Sequence, residues 1–100
     1  MIVRLSRHAV RDLDEAADWY GTPTEQLATA LELEVSDALA RLARFPLLGR
    51  AHPTRAGVRV LVLTRVPFTI PYKVAAGVLT VLAVAHTSRR PDYWSRRGPR

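Results

Sequence analysis

The second half of the chain carries a set of side chains suited to phosphate binding and proton transfer: Arg59, Arg65, Lys73, His86, Arg89, Arg90 and Tyr93. Cleaving RNA without a metal needs one group to activate the 2′-hydroxyl, another to protonate the leaving 5′-oxygen, and cations around the phosphorane. Lys73, His86, Arg89, Arg90 and Tyr93 are the candidate groups for that chemistry, and Arg59 and Arg65 are candidate phosphate clamps. Arg59, Arg65, Lys73, Arg90 and Trp94 also make a candidate basic surface that binds a target and catalyses nothing. A metal site is not expected: there is no cysteine, and His8 and His52 lack suitably spaced partners. No cofactor motif is present.

Each of these residues also has a structural explanation. A histidine at a strand end, as His86 is expected to be, is commonly a hydrogen-bonded structural residue. Tyr93 and Trp94 can pack on a sheet face that helices leave uncovered. Arg59 and Arg65 can lie with their stems over apolar neighbours. Arg96, Arg97 and Arg100 read as a solvated tail, with residues 95–100 frayed, and the acids of the first helix as a solvated face.

One hundred residues suit a single domain, here 1–100. A hydrophobic fraction of 48% with 24% charged residues is that of a folded globular chain. The net charge of +6 is unevenly spread. Residues 1–37 hold three arginines against eight acids, a net −5. Residues 38–100 hold twelve of the fifteen basic residues and one acid, Asp92, a net +11. Such a field favours a polyanion or an acidic protein partner on the C-terminal half. Met1–Val10 carries Arg4, Arg7 and His8, so no secretory signal is expected. The longest apolar stretch, Val74–Ala85, is broken by Gly77 and Thr80 and falls short of the ~20 residues of a membrane span. A soluble, cytoplasmic protein is expected.

The elements that must position these groups follow from the hydrophobic pattern. Ile2–Leu5 suits a first strand. Ser6 can cap a helix from about His8 to Tyr20, with Val10, Leu13, Ala16/Ala17 and Tyr20 on its apolar face. Gly21 ends it, and Thr22-Pro23-Thr24-Glu25 has the form of a capping box that starts a second helix. Leu27, Leu31, Val35, Ala38, Leu42 and Phe45 continue the apolar stripe to Pro46. After a loop over residues 47–57, three strands are expected: Val58–Arg65, Phe68–Ala75 and Val78–Thr87. Pro71 inside the second predicts a bulge or an unpaired edge nearby. The order is β-α-α-β-β-β: an α+β fold, an antiparallel sheet with a helical hairpin on one face.

Several phrases in this order resemble a known family. They are Ala9-Val10-Arg11-Asp12-Leu13-Asp14-Glu15-Ala16, Leu42-Ala43-Arg44-Phe45-Pro46-Leu47-Leu48-Gly49-Arg50, Val66-Pro67-Phe68-Thr69-Ile70-Pro71-Tyr72-Lys73-Val74, Val81-Leu82-Ala83-Val84-Ala85-His86 and Arg89-Arg90-Pro91-Asp92-Tyr93-Trp94. Together, from about Ile2 to Arg97, they resemble the RelE/ParE superfamily toxins, including those labelled plasmid stabilisation proteins. The resemblance implies a toxin of a type II toxin–antitoxin pair that arrests growth when free of an acidic antitoxin wrapped across it. RelE-like members are metal-independent endonucleases that cut messenger RNA in the ribosomal A site. ParE-like members poison DNA gyrase and are not nucleases. A RelE-like mechanism would make His86, Arg89 and Tyr93 the catalytic set: Tyr93 corresponds to the C-terminal tyrosine of the nucleases and Arg89 to one of their basic positions. Thr69 and Thr87, however, stand where they carry arginine; His86 or Asp92 could substitute. The His86…Arg89-Arg90-Pro91 ending is close to that of ParE-like members, and the balance favours gyrase over the ribosome with its mRNA. A non-toxic nucleic-acid-binding module on the same scaffold is the remaining alternative, although neither a helix-turn-helix pattern nor an aromatic strand motif is present.

Overall fold

The computed structural model describes residues 1–21 and 25–96. Its elements run β1 (Ile2–Leu5), α1 (Arg7–Gly21), α2 (Glu25–Arg44), β2 (Arg50–Ala51), β3 (Val58–Val62), β4 (Phe68–Ala75), β5 (Val78–Val81), β6 (Ala85–His86) and a 3₁₀ turn over Tyr93–Arg96. The capping box at 22–24 and the tail at 97–100 lie outside the described residues. Ser6 does cap α1: its Oγ accepts the Ala9 N–H at 3.1 Å. Of the expected frayed segment, Ser95 and Arg96 instead belong to the 3₁₀ turn.

The α+β architecture is as expected, with α1 and α2 packed together over one face of the sheet. The sheet is mixed, however. Its order is β1-β5-β4-β3-β2, with β6 also on β4, and β1 runs parallel to β5 while the other pairs are antiparallel. Parallel pairing is open to β1 because both helices and three strands separate it from β5, whereas a short hairpin forces its two strands antiparallel. The third expected strand, Val78–Thr87, divides into β5 and β6. The loop before β3 contains the two-residue β2.

The main core lies between helices and sheet: Ala9, Leu31, Val35, Ala38 and Leu42 meet Leu61, Phe68, Ile70, Tyr72, Leu79, Val81 and Val84. Two positions depart from the expected stripes. Val10 is 47% exposed and Phe45 57%, whereas Ala9 and Asp12 are buried. As far as Ala16 the buried face of α1 is therefore Ala9, Asp12, Leu13 and Ala16, turned by about one residue from the expected one, while the side chains of the expected Ala17, Tyr20 and Leu27 lie outside the described residues. On the opposite sheet face Ala83, Ala85 and Trp94 form a second small core with Val58, Leu82 and Tyr93. The C-terminal turn covers that face.

The β4–β5 hairpin closes through Ala76 and Gly77 between the paired Ala75 and Val78. Both have positive φ, 51° and 78°, as a type I′ turn requires.

Candidate functional site

The site begins at Pro71. β4 and β5 pair in the register Tyr72↔Val81, whereas β4 and β6 pair as Thr69↔Ala85 and Phe68↔His86. Between the two registers the β5–β6 side carries one extra residue, so that Ala83 and Val84 face Ile70 alone. This is a β-bulge, as Pro71 predicted. Leu82 N–H donates to Pro71 C=O at 2.8 Å, but proline has no N–H to return. The Leu82 carbonyl instead accepts the Ser6 hydroxyl at 3.2 Å. Val84 N–H, turned out of the ladder, donates to Asp12 Oδ2 at 3.0 Å. Asp12 is thus a buried structural acceptor and not part of a solvated acidic face. Among the acids of α1, Asp14 and Glu15 are exposed as expected.

Side chains alternate along a strand, so one inserted residue reverses everything beyond it. The bulge therefore puts His86 on the helix-facing side beside its partner Phe68, ring centroids 5.0 Å apart in an edge-to-face contact. His86 Nδ1 accepts both the N–H and the hydroxyl of Ser88, at 3.0 and 2.7 Å. Because a backbone N–H can only donate, Nδ1 is the unprotonated nitrogen and the neutral ring carries its hydrogen on Nε2. Arg89 N–H donates to His86 C=O at 3.1 Å, closing the turn. The Arg89 guanidinium then lies 4.2 Å above the Tyr93 ring.

These residues border an open cleft of about 320 Å³ between α1 and the C-terminal segment. His86, Arg89 and Tyr93 stand on one side with Ser88; Asp12, Glu15 and Ala16 of α1 stand on the other. Arg90 and Trp94 border a neighbouring depression with Thr69 and Thr87. The three candidate catalytic residues are thus together, and two of the five surface candidates are beside them.

The remaining candidates are elsewhere. Arg59 Nη1 donates to Gly49 C=O at 2.7 Å and Leu47 C=O at 3.4 Å, so one arm of its guanidinium is held by the loop after α2. Arg65 follows β3, its side chain 83% exposed and 4.0 Å from Glu34. Lys73 is exposed on β4. Trp94 is only 7% exposed and packs on Ala83 and Ala85, which makes it a core residue and removes it from the exposed surface.

The sequence reading passed over one residue that builds this region, His52. Its side chain is 4% exposed, and its Nε2 lies 3.1 Å from Asp92 Oδ2. Nδ1 accepts the N–H groups of Thr54 and Arg55 at 3.1 and 3.0 Å, which leaves the hydrogen on Nε2 facing the carboxylate. The ring also meets Trp94 edge-on at 6.0 Å. Asp92 holds the left-handed φ of 59°. The loop after β2 thereby fastens the segment that carries Arg89, Arg90 and Tyr93. Asp12 did leave a signal, because Ala9, Asp12 and Ala16 share one helical face. His52 left none, because Asp92 and Trp94 lie forty or more residues away in the chain.

Among the described residues no group of three His, Asp or Glu could hold a metal, and no helix is long and apolar enough to cross a membrane.

Residues 3–91 match the model of the family described as "ParE toxin of type II toxin-antitoxin system, parDE". The chain belongs to the ParE toxin family. A Sinorhizobium fredii relative named "Putative toxin Y4kP" is 28% identical over 88 residues, covering 88% of this chain and 90% of its own. A solved structure titled "Chromosomal ParDE TA system from P. aeruginosa" includes a chain 26% identical to this one. It superposes with a TM-score of 0.74 over 86% of this chain and 95% of its own. This chain is accordingly the toxin of a ParDE-type type II pair, and its partner is a cognate antitoxin. The ParE match ends at Pro91 and so leaves Tyr93 and Trp94 outside it.

Proposed function

We propose that this ParE-family toxin acts in the cytoplasm as a non-enzymatic poison of DNA gyrase, with the turn carrying Arg89, Arg90 and Tyr93 as its effector surface. The observation that carries this reading is the state of the groups a nuclease would need. His86 Nδ1 is taken by Ser88, the Arg89 guanidinium lies on Tyr93, and Arg59 is engaged by loop carbonyls. The cleft they border is walled by the carboxylates of Asp12 and Glu15, which repel a phosphodiester. Thr69 and Thr87, beside Arg90, supply no positive charge where a RelE-like nuclease carries arginine.

A gyrase poison needs none of this to converge on one phosphate. It needs a rigid surface of defined charge. Arg89 and Arg90 supply one, held in place by the His52–Asp92 contact and the Trp94 core. Arg65 and Lys73 are exposed and extend the positive field that draws an acidic surface towards the toxin. Replacing Arg89, Arg90 and Tyr93 together by alanine should abolish growth arrest while the thermal unfolding transition and antitoxin binding remain. Arrest that persists in a folded triple variant refutes the surface. Transcripts cut between codon positions on induction, with gyrase unaffected, would instead establish the RelE-like reading.

A further inference from the structure

The chain leaving α2 turns sharply and exposes three large apolar side chains, Phe45 at 57%, Leu47 at 70% and Leu48 at 46%. Apolar groups on a loose loop can fold back onto the protein, but the backbone here is fixed. Phe45 N–H donates to Arg41 C=O at 2.8 Å and Leu48 N–H to Phe45 C=O at 3.0 Å. The buried Tyr72 hydroxyl donates to Pro46 C=O at 2.7 Å and accepts Gly49 N–H at 2.9 Å. Arg59 ties down the carbonyls of Leu47 and Gly49. The side chains are thus presented on a frame that loses little freedom on binding. Exposed arginines flank them along the chain: Arg41, Arg44, whose guanidinium lies 5.5 Å from the Phe45 ring, and Arg50.

We infer that this turn is a docking surface for the cognate antitoxin, and that its occupant is a segment carrying apolar residues between carboxylates. Charge complementarity selects that chemistry. From Ala38 to Pro91 the chain has no acid at all. Among the described residues Arg41 meets Asp37 at 3.8 Å, with both side chains more than half exposed, a pairing weak enough for a partner's carboxylate to replace. Rigid apolar anchors flanked by cations favour slow dissociation, which a neutralising partner needs. None of these residues borders the cleft of Arg89 and Tyr93. The inference rests on membership of a type II pair and is independent of the gyrase reading.

The test compares the wild-type toxin with a Leu47→Glu/Leu48→Glu variant, using the co-expressed cognate antitoxin as the probe. Antitoxin Kd should rise by about 100-fold. Cells making both proteins should stop growing, because the variant remains toxic and escapes its partner. Arg44→Glu should raise Kd less and flatten its salt dependence. Should the double variant have a lowered Tm, Leu47→Ser at the most exposed position gives the same reading with less disturbance. Unchanged antitoxin affinity overturns the inference. So does loss of growth arrest with antitoxin binding intact, which would turn the surface towards the target. A toxin dimer in light scattering that the variant alone loses, at unchanged antitoxin affinity, would assign the turn to a second copy and overturn it too.

Discussion

Replacing Gly49 by alanine should destabilise this protein far more than its small size suggests. Gly49 has no positive φ among those the structure shows, so backbone strain is not the reason. The reason is space. A Cβ at this position would lie 2.7 Å from Tyr72 Cε1, 2.8 Å from its hydroxyl oxygen and 3.0 Å from the Val60 carbonyl carbon. Neither neighbour is the free end of a flexible chain, because Tyr72 is wholly buried in the main core. Relief requires the ring to shift, and the hydroxyl then loses its contacts with Gly49 N–H and Pro46 C=O. Overpacking of a core costs about 1–3 kcal/mol, and each lost hydrogen bond about 1 kcal/mol. With partial relaxation the total is about 2–4 kcal/mol. In a domain of this size that lowers Tm by about 10–25 °C. Thermal unfolding followed by circular dichroism reads it directly. Tyr72→Phe should cost about 1–2 kcal/mol through the same two partners. The double variant should cost less than the sum, because removing the hydroxyl removes one of the three close contacts. A fall in Tm of less than about 3 °C for Gly49→Ala, or strict additivity with Tyr72→Phe, refutes the packing account.

Two further perturbations probe the frame of the proposed site. His52→Ala removes the Nε2 contact with Asp92 and the ring beside Trp94, and should abolish growth arrest more readily than it lowers Tm. Hydrogen exchange at Tyr93 and Ser95 checks it by showing whether the segment has come loose, and unaltered protection refutes the fastening role. Ala76→Asn, at the first position of the type I′ turn, should stabilise the fold by about 0.5–1 kcal/mol, since asparagine tolerates the left-handed conformation better than alanine. Chemical denaturation measures the shift in midpoint, and an unchanged or lower midpoint contradicts it.

The local features of the fold were legible in the sequence. Ser6 carries its capping oxygen directly after an apolar strand, Pro46 stops α2, and Gly77 marks the hairpin. Pro71 announced the bulge because its missing N–H is a property of the residue alone. What the bulge does was not legible. The reversed face that brings His86 beside Phe68, and the Val84 N–H that needs Asp12, depend on how strands seventy residues from α1 come to lie beside it. The angular position of Asp12, on one helical face with Ala9 and Ala16, marked it as inward-facing, but its donor, the Val84 N–H, lies far along the chain. Val10 and Phe45 were misplaced because their apolar character outweighed their angular position. Trp94 could be read as surface or packing, and only the bare sheet face decided between them. The candidate residues His86, Arg89 and Tyr93 were found from chemistry and order in the chain. Their engagement with Ser88 and with one another is a matter of geometry that no local pattern encodes.

If the ParE-family toxin acts on gyrase through a surface and not through a reaction, as proposed, purified gyrase must respond to it directly. The most direct test is supercoiling by purified gyrase with the purified, antitoxin-free toxin. Supercoiling should be inhibited, and cleaved DNA trapped on the enzyme, in proportion to toxin. Full supercoiling activity at saturating toxin, with mRNA cut in a translating extract under the same conditions, would contradict the proposal.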